Sequence, residues 1–419
     1  MSRVFGAAPR PSTARAAAAA LAVAALALTA ACGDNGGKGG SSGSGGGAAI
    51  ALPTNKATGA PITVGLINDD TSPLGSYADI SKSARAAVSY VNDSLGGVKG
   101  RPIKLAVCTP NGSAAASANC AAELLRQKPA AVIGGLDLGA DGSVPALAKA
   151  GIPYVPASPI GAVEFTSPNS FSMLGGAPGS VSAGSVYVAD KLKPKKVAVM
   201  FNDNPQARLA AQGYAQKVLQ SKGVTNVSMV AFGNNETDLT GPVSQAIKGG
   251  TDVVIGIMQG SGCANVIKAK QSLGSTAKFL FPGSCADPQV LKAAGPGAEG
   301  TYYAVQQLLP GSGDPDVAAF EAALAKYDKS IPESGFAQGV FGTVVTLSKV
   351  MATASAPDQP KAVTDALKRT ANLKSFMGPT VTCDGKQLAG LAAFCTKQAR
   401  IAQYKNGKLS DAGGEWFSA

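Results

Sequence analysis

The sequence contains no histidine, and this absence removes several kinds of catalytic and metal site. A Ser-His-Asp or Cys-His catalytic site cannot be built without the imidazole that serves as its base. A zinc site would need several cysteines or carboxylates, and the chain has no CxxC pair. It also has no GxxxxGK[ST] phosphate-binding loop, so it does not hydrolyse ATP itself. We therefore expect neither a metal nor a cofactor.

Aromatic residues are scarce, at 5% of the chain with the single tryptophan Trp416, which argues against a glycosidase that stacks sugars on aromatic rings. The GxSxG pattern occurs at 39–43, within a Gly/Ser segment rather than on a strand-to-helix turn. The enzyme class that remains is a hydrolase with paired carboxylates, for instance Asp69 and Asp203. We expect the protein not to be an enzyme.

The apolar run at 16–30 is too short for a membrane span, which needs about twenty residues. It follows Arg3, Arg10 and Arg15 and ends in small residues before Cys32, an order typical of a secretory signal. The small-small-Cys ending resembles the lipobox of bacterial lipoproteins, whose cysteine is lipidated and becomes the new N-terminus. We predict a signal peptide and a lipidated Cys32 that anchors the protein to the outer face of the cell membrane. An ordinary cleaved signal with a chance cysteine is the alternative.

A flexible tether follows the predicted anchor. Residues 33–47 are nearly all Gly and Ser, a composition that behaves as a random coil and cannot bury a core. The domain organisation therefore begins with a signal peptide at 1–31, and a lipidated cysteine plus tether at 32–61.

Six of the seven cysteines remain after Cys32. An even number in an exported chain favours disulfides over metal sites or free thiols. Fifteen connectivities are open to six cysteines, and proximity in sequence favours three local pairs. These pairs are Cys108–Cys120, Cys263–Cys285 and Cys383–Cys395.

The formal net charge is +11, with 37 basic and 26 acidic residues. The basic residues are scattered, and their densest cluster, Lys191 to Lys196, is not interleaved with aromatics. Nucleic-acid sites combine basic patches with stacking residues, so we expect no nucleic-acid partner.

Beyond residue 61, apolar runs alternate with helical spacing. Strands are predicted over 62–67, 103–107, 131–133, 152–155, 197–201, 227–232, 253–257 and 279–281. Helices are predicted over 78–95, 114–126, 144–150, 205–221, 239–248, 263–273, 287–294, 314–327, 335–352 and 362–371, with a loop region near Gly175. The alternation predicts an α/β fold of parallel sheets covered on both faces, and the length suits two lobes.

The two series of strands begin alike. Asn68-Asp69 follows the first strand, and Asn202-Asp203 follows the leading strand of the second series. In open α/β sheets, ligands bind outside the carboxyl ends of the strands, so two facing lobes would place both pairs at a shared cleft. The alternative is that Asn-Asp is simply a favourable turn and helix-capping pair.

Four segments carry a family resemblance: 71–79 before a helix, the Asn-then-Gly-Gly-Val-x-Gly turn in 91–103, 151–158, and Gly378-Pro379. Together they resemble type I periplasmic binding proteins of the branched-chain amino acid class. Members are solute-binding subunits of ABC importers, in which two Rossmann-like lobes joined by three crossover strands close over a small molecule. The resemblance implies lobe I at 62–178 and 308–375, and lobe II at 179–307 and 376–419.

The resemblance also implies the partners and the output. We expect a monomer that works with ABC permease and ATPase subunits and touches the membrane only through its lipid anchor. A ligand-sensing receptor for a signalling partner is the alternative output, and a carboxylate-based hydrolase is the third.

The resemblance also implies ligand-binding positions, which are matched residue by residue to this sequence. Tyr77 falls where a tyrosine commonly lines the ligand pocket, and Asp137 and Leu138 lie in the loop that holds a carboxylate in amino-acid binders. The full set of expected ligand-binding residues is Asn68, Asp69, Ser72, Tyr77, Asp137, Leu138, Ala157, Ser158, Asp203, Gln259 and Ser284.

Three positions depart from amino-acid binders. Asp137 would oppose an anion, Pro159 replaces a usual threonine, and Gly283-Ser284 replaces the residue that takes an ammonium group. A buried charge without a partner costs several kcal/mol. We therefore expect a small polar molecule, neutral or cationic and bearing hydroxyl or amide groups, rather than leucine, isoleucine or valine.

Overall fold

The computed structural model describes residues 50–72 and 75–419. The predicted signal peptide, the predicted lipidation of Cys32 and the glycine-rich part of the tether lie outside these residues. Among the helices of the described residues, none is both long and apolar enough to cross a membrane.

The strands of the described residues fall into two larger sheets and two short ribbons. They are β1 (Ile62–Ile67), β2 (Thr71–Ser72), β3 (Gly75–Ser76), β4 (Ile103–Cys108), β5 (Ala131–Gly134), β6 (Tyr154–Pro156), β7 (Val197–Asn202), β8 (Val227–Phe232), β9 (Val253–Ile257), β10 (Lys278–Pro282), β11 (Tyr302–Val305), β12 (Leu373–Lys374), β13 (Thr380–Val381), β14 (Arg400–Lys405) and β15 (Lys408–Asp411).

Helices cover the faces of both sheets. They are α1 (Ala78–Ser94), α2 (Ala114–Arg126), α3 (Ala140–Lys149), α4 (Ala162–Thr166), α5 (Gly176–Tyr187), α6 (Pro205–Leu209), α7 (Lys217–Ser221), α8 (Thr240–Ile247), α9 (Ser261–Ser272), α10 (Pro288–Ala294), α11 (Pro315–Tyr327), α12 (Gly335–Thr353) and α13 (Pro360–Lys368). Two π-helical segments, Val188–Leu192 and Ala210–Gln216, extend α5 and join α6 to α7.

The first sheet is parallel, in the order β4-β1-β5-β6. Successive side chains of a strand point to opposite faces, and here Leu66 and Ile67 belong to two different buried clusters. Both faces of the sheet are therefore covered, which is why β1 is an almost continuous apolar run rather than an alternating one.

The second sheet has the order β15-β14-β11-β10-β9-β7-β8. Its strands from β8 to β11 are parallel, whereas β14 pairs antiparallel with β11 and β15 pairs antiparallel with β14. Two buried clusters again lie on its two faces, with Val199 in one and Met200 in the other. This gives two α/β lobes, each built around its own sheet.

The chain passes between the lobes three times: from β6 to α5, from β11 to α11, and from β13 to β14. Ser172 forms a parallel bridge with Phe394, and the Leu308 N–H donates to the carbonyl of Met377 at 2.7 Å. The crossing segments therefore lie side by side. The exact lobe boundaries stay a prediction.

Two elements of the structure were not predicted from the sequence. The loop region near Gly175 leads directly into α5, and β11 was also missed. Almost every residue of α5 is buried, so the helix lacks the apolar stripe by which an amphipathic helix is recognised. The short helix predicted at 144–150 is α3, which begins at Ala140.

All three predicted disulfides are present in the structure. They join Cys108 to Cys120, Cys263 to Cys285, and Cys383 to Cys395. Cys263 and Cys285 are fully buried; Cys263 lies in the first turn of α9, which follows β9, and Cys285 lies in the short 3-10 helix that follows β10. This bridge therefore ties two segments at the edge of the second sheet.

Candidate ligand-binding cleft

A cavity of about 130 Å³ lies where the two lobes and their crossing segments meet. Its wall includes Ser158 from the first lobe and Ser284 from the second. Gln307 comes from the crossing segment after β11, and Phe336 from the first turn of α12. We call this space the small compartment.

A larger cavity of about 750 Å³, the large compartment, adjoins it. The two share part of their walls, so they are compartments of one cleft. The shared residues are Pro159, Ile160, Ala177, Gln259 and Pro282.

Four of the expected ligand-binding residues line this cleft. Ala157, Ser158, Gln259 and Ser284 all border the small compartment, and Gln259 also borders the large one. They follow β6, β9 and β10, as expected for the carboxyl ends of parallel strands.

Asp69 does not border the cleft. It is fully buried, and its two carboxylate oxygens accept hydrogen bonds from the backbone N–H groups of Gly112 at 2.6 Å and Leu138 at 2.8 Å. Because both oxygens hold loops of the first lobe, Asp69 has a structural role in place of the ligand contact expected from sequence.

Asp137 also forms its hydrogen bonds within the first lobe. It accepts hydrogen bonds from the hydroxyls of Ser117 and Ser143, both at 2.5 Å, and from the Gly139 N–H at 3.1 Å. Burial raises the pKa of Asp137, while these hydrogen bonds lower it. The residue is 1% exposed and does not reach the cleft.

Asn68 is buried beside Gly135, the residue that follows β5. Its Oδ1 accepts from the Leu136 N–H at 2.9 Å, and its Nδ2 donates to the carboxylate of Asp70 at 2.7 Å. A Cβ on Gly135 would lie 2.5 Å from Asn68 Oδ1, so only glycine fits there. Asn68 therefore joins loops rather than binding a ligand.

Asn202 and Asp203, the second Asn-Asp pair, separate. Asn202 borders the large compartment, whereas Asp203 is half exposed, forms an ion pair with Arg208 and lines neither compartment. The prediction that both Asn-Asp pairs lie at a shared cleft is therefore wrong. The prediction that Asp69 and Asp203 face each other across it is wrong as well.

Tyr77, Ser72 and Leu138 lie outside the lining of both compartments. Tyr77 packs edge-to-face against Phe336, with ring centroids 6.2 Å apart, and so stands behind a lining side chain. Burial raises the pKa of Tyr77, with a further contribution from Asp287. Ser72 lies in the β2–β3 ribbon, and Leu138 contributes its backbone N–H to Asp69.

Glu164 is a functional candidate that the sequence reasoning missed. Its Oε2 accepts from the N–H groups of Ile160 at 2.8 Å and Gly161 at 2.9 Å, and its Oε1 accepts from the Tyr154 hydroxyl at 3.0 Å. Ile160 borders both compartments, so this buried carboxyl fixes a loop of the cleft. Burial raises the pKa of Glu164 to about 7. The sequence signal that could have identified Glu164 is a glutamate three residues after a helix N-cap, the spacing of a capping box.

Two glutamines after β11 were also missed. Gln306 accepts from the Gly176 N–H at 3.1 Å and donates to Ser180 Oγ at 2.6 Å, which connects the crossing segment after β11 to α5. Gln307 borders the small compartment, and its Nε2 is buried without a hydrogen-bond partner. In the described part of the chain, no group of three or more acidic or cysteine side chains could hold a metal ion.

A family model described as "Periplasmic binding protein" matches residues 61–408. Among curated proteins, the chain is similar to "Leu/Ile/Val-binding protein homolog 3" of Brucella melitensis. The two are 23% identical over 328 residues, which cover 76% of this chain and 86% of that protein.

Solved structures share the fold. A leucine-binding protein of Thermotoga maritima is 15% identical with a TM-score of 0.69, over 85% of this chain and 99% of that one. A branched-chain amino acid transporter substrate-binding protein of Streptococcus pneumoniae, solved with isoleucine, is 18% identical with a TM-score of 0.67, over 86% and 99%. At these identities the likeness concerns the fold.

Proposed function

The chain belongs to the periplasmic binding protein family, whose members here are solute-binding proteins rather than enzymes, and we propose that it is the binding subunit of an ABC importer. It works outside the cytoplasm, held at the outer face of the membrane by a lipidated Cys32. Its partners are permease and ATPase subunits, and it is a monomer. Its ligand is a small polar organic molecule such as an amino acid, an amide or a related compound.

The observation that carries this proposal is the position of the small compartment. Both lobes and a crossing segment contribute to its wall, through Ser158, Ser284 and Gln307. A ligand that touches all three binds better when the lobes are closed than when they are apart. Binding therefore shifts the protein toward the closed state by rotation about the crossing segments.

Ligand-linked stability of the purified full chain tests the proposal. Thermal unfolding is followed with amino acids, amides, ureas, polyols and sugars. A true ligand at a hundredfold excess over its Kd adds about 2.7 kcal/mol to the free energy of unfolding. A clear shift by at least one compound is expected, and no shift by any of them would contradict the proposal.

Two glycine substitutions test whether the ligand binds in the small compartment. A Cβ on Gly339 would lie 3.5 Å from Gln307 Nε2, so Gly339→Leu fills the small compartment. A Cβ on Gly241 meets nothing within 4 Å, so Gly241→Leu adds the same side chain away from the cleft. The ligand-induced shift should vanish in the first variant and persist in the second.

A further inference from the structure

The size of the cleft exceeds the needs of a single amino acid. An apolar cavity of about 150 Å³ holds one benzene ring, so the small compartment at about 130 Å³ accepts a group of that size. The large compartment, at about 750 Å³, lies in the range of cavities that enclose drug-sized ligands. A ligand that fills both is an extended molecule.

The charged side chains of the cleft disfavour a ligand with a net negative charge. Among the described residues, Asp287 is the one charged side chain on the small compartment, and Glu236 is the one on the large compartment. No lysine or arginine of the described chain borders either. A ligand with a net negative charge would lose hydration here and would meet acidic side chains without a cationic partner.

Amide side chains dominate the polar surface of the large compartment. They end or follow β7, follow β8 and β9, or lie on α6 and α9, beyond the carboxyl ends of these parallel strands. The set is Asn202, Asn204, Gln206, Asn234, Asn235, Gln259 and Asn265.

Several of these amides are available to a ligand. Asn204 is occupied, since it donates to Asn234 at 3.1 Å and accepts from the Ala207 N–H at 2.9 Å. Asn202, Gln259 and Asn265 make no side-chain hydrogen bond to another residue of the described chain. Each carries two N–H donors and a carbonyl acceptor, which match hydroxyl groups because a hydroxyl both donates and accepts.

The same compartment also offers apolar surface. Phe165, Tyr214 and Leu391 pack together along it. A pyranose ring has hydroxyls at its edge and C–H groups on its faces, so it can use amide groups and apolar side chains at once. Gln307 borders the small compartment and its Nε2 has no hydrogen-bond partner, so a ligand oxygen can satisfy this donor once the side chain turns toward it.

We propose that the cleft binds a polyhydroxylated solute of at least disaccharide size that carries no negative charge. One end lies in the small compartment, with an oxygen accepting from Gln307, and the remainder lies against the amides of the large compartment. This inference rests on the proposed solute-binding function, and it replaces the amino acid or amide with a polyhydroxylated compound as the ligand of the same site.

Calorimetric titration of the purified full chain tests it with two sets of probes. The first set is maltose, cellobiose, trehalose and glucose; the second is L-leucine, L-isoleucine, L-valine and L-glutamine. At least one disaccharide should bind, with glucose at least tenfold weaker. Asn202→Ala and Asn265→Ala should each weaken that disaccharide at least fivefold.

Gln220→Ala is the matched control, because Gln220 is an exposed amide on α7 outside both compartments. It should leave the affinity unchanged. The melting temperature of each variant shows whether it folds. If Asn202→Ala does not fold, the affinity of Asn265→Ala decides the test.

The outcomes separate this inference from the proposed function. Binding of an amino acid without binding of any disaccharide overturns the inference and leaves the solute-binding function standing. Disaccharide binding that neither asparagine variant weakens overturns the amide assignment. If no probe of either set binds, the inference fails, and the broader screen described above decides the proposed function separately.

Discussion

At the scale of single residues, two of the three carboxylates expected to bind ligand organise the first lobe instead. Asp69 receives two backbone N–H groups, and Asp137 receives two hydroxyls and one N–H. A turn that follows a buried strand has backbone donors to satisfy, and a nearby carboxylate satisfies them with strong, charge-assisted bonds. Such residues therefore share the sequence position of ligand-binding residues without sharing their exposure to the cleft.

We expect Asp69→Asn to destabilise the protein by about 1–3 kcal/mol, because the amide group would point a donor at a backbone N–H. Asp203→Asn is the matched control, since the Asp203 side chain is 53% exposed and an exposed ion pair contributes about 1 kcal/mol or less. Urea unfolding monitored by circular dichroism measures both. Equal losses in the two variants would contradict the structural role of Asp69.

Glu164 predicts a pH dependence of stability. Its pKa is raised from 4.5 to about 7 in the folded state, so the folded protein binds the proton more tightly than the unfolded chain. The resulting stabilisation is complete below pH 4.5 and is lost as the pH rises to about 7. Its full size is about 3 kcal/mol, from 1.36 kcal/mol for each pKa unit.

Glu164→Gln removes this titration and keeps an oxygen that can accept from Ile160 and Gly161. Asp137, whose pKa is also raised, contributes with the same sign, and it remains in both proteins, as does Tyr154. Unfolding free energies measured from pH 4.5 to 8 should therefore fall less steeply in the variant. Parallel curves for the two proteins would show that Glu164 does not titrate in this range.

At the scale of elements, close packing of α2 against α3 depends on a glycine. A Cβ on Gly142 would lie 1.9 Å from the carbonyl oxygen of Ala114, a backbone atom that cannot move aside by rotating a side chain. We expect Gly142→Ala to destabilise the protein by about 1–3 kcal/mol or more, as overpacking does.

Gly241→Ala supplies the comparison, because Gly241 lies in α8 and its Cβ would meet nothing within 4 Å. Alanine favours a helix over glycine by up to about 1 kcal/mol, so this variant should be neutral or stabilised. Thermal unfolding of the two variants checks the prediction. A loss in both, or in neither, would argue against the α2–α3 contact.

At the scale of the whole molecule, each sheet has its own pair of hydrophobic clusters. Leu124 belongs to a cluster of the first sheet, and Phe281 to a cluster of the second. Three crossing segments connect the lobes, so we expect the lobes to unfold separately when one of them is weakened. Leu124→Ala, which should cost about 2–5 kcal/mol, provides that condition.

Scanning calorimetry should show two transitions in Leu124→Ala, with the lower one displaced from the wild-type midpoint and the upper one near it. Phe281→Ala should destabilise the second lobe instead, so that the transition displaced in this variant belongs to the second lobe. A single transition that moves as a whole in both variants would show that the lobes unfold together.

Much of the fold was predictable from the sequence. Short apolar strands alternating with helices indicate parallel sheets covered on both faces, because such strands are buried on both sides. β1, β8, β9 and α2 lie where their patterns predict them. The helix α5 was not predictable in this way, since a helix buried all round shows no 3.6-residue period.

The sequence by itself therefore determined the α/β class, the absence of histidine-based catalysis and the local cysteine couples, all of which depend on composition or on residues near one another in the chain. Only the tertiary structure decided which polar side chains face the cleft. Asn202 ends β7 and Asn68 directly follows β1, yet Asn202 borders the large compartment while Asn68 is buried among loops. The physical reason is that a polar side chain forms hydrogen bonds with the groups that folding places near it. Those groups come from distant parts of the chain.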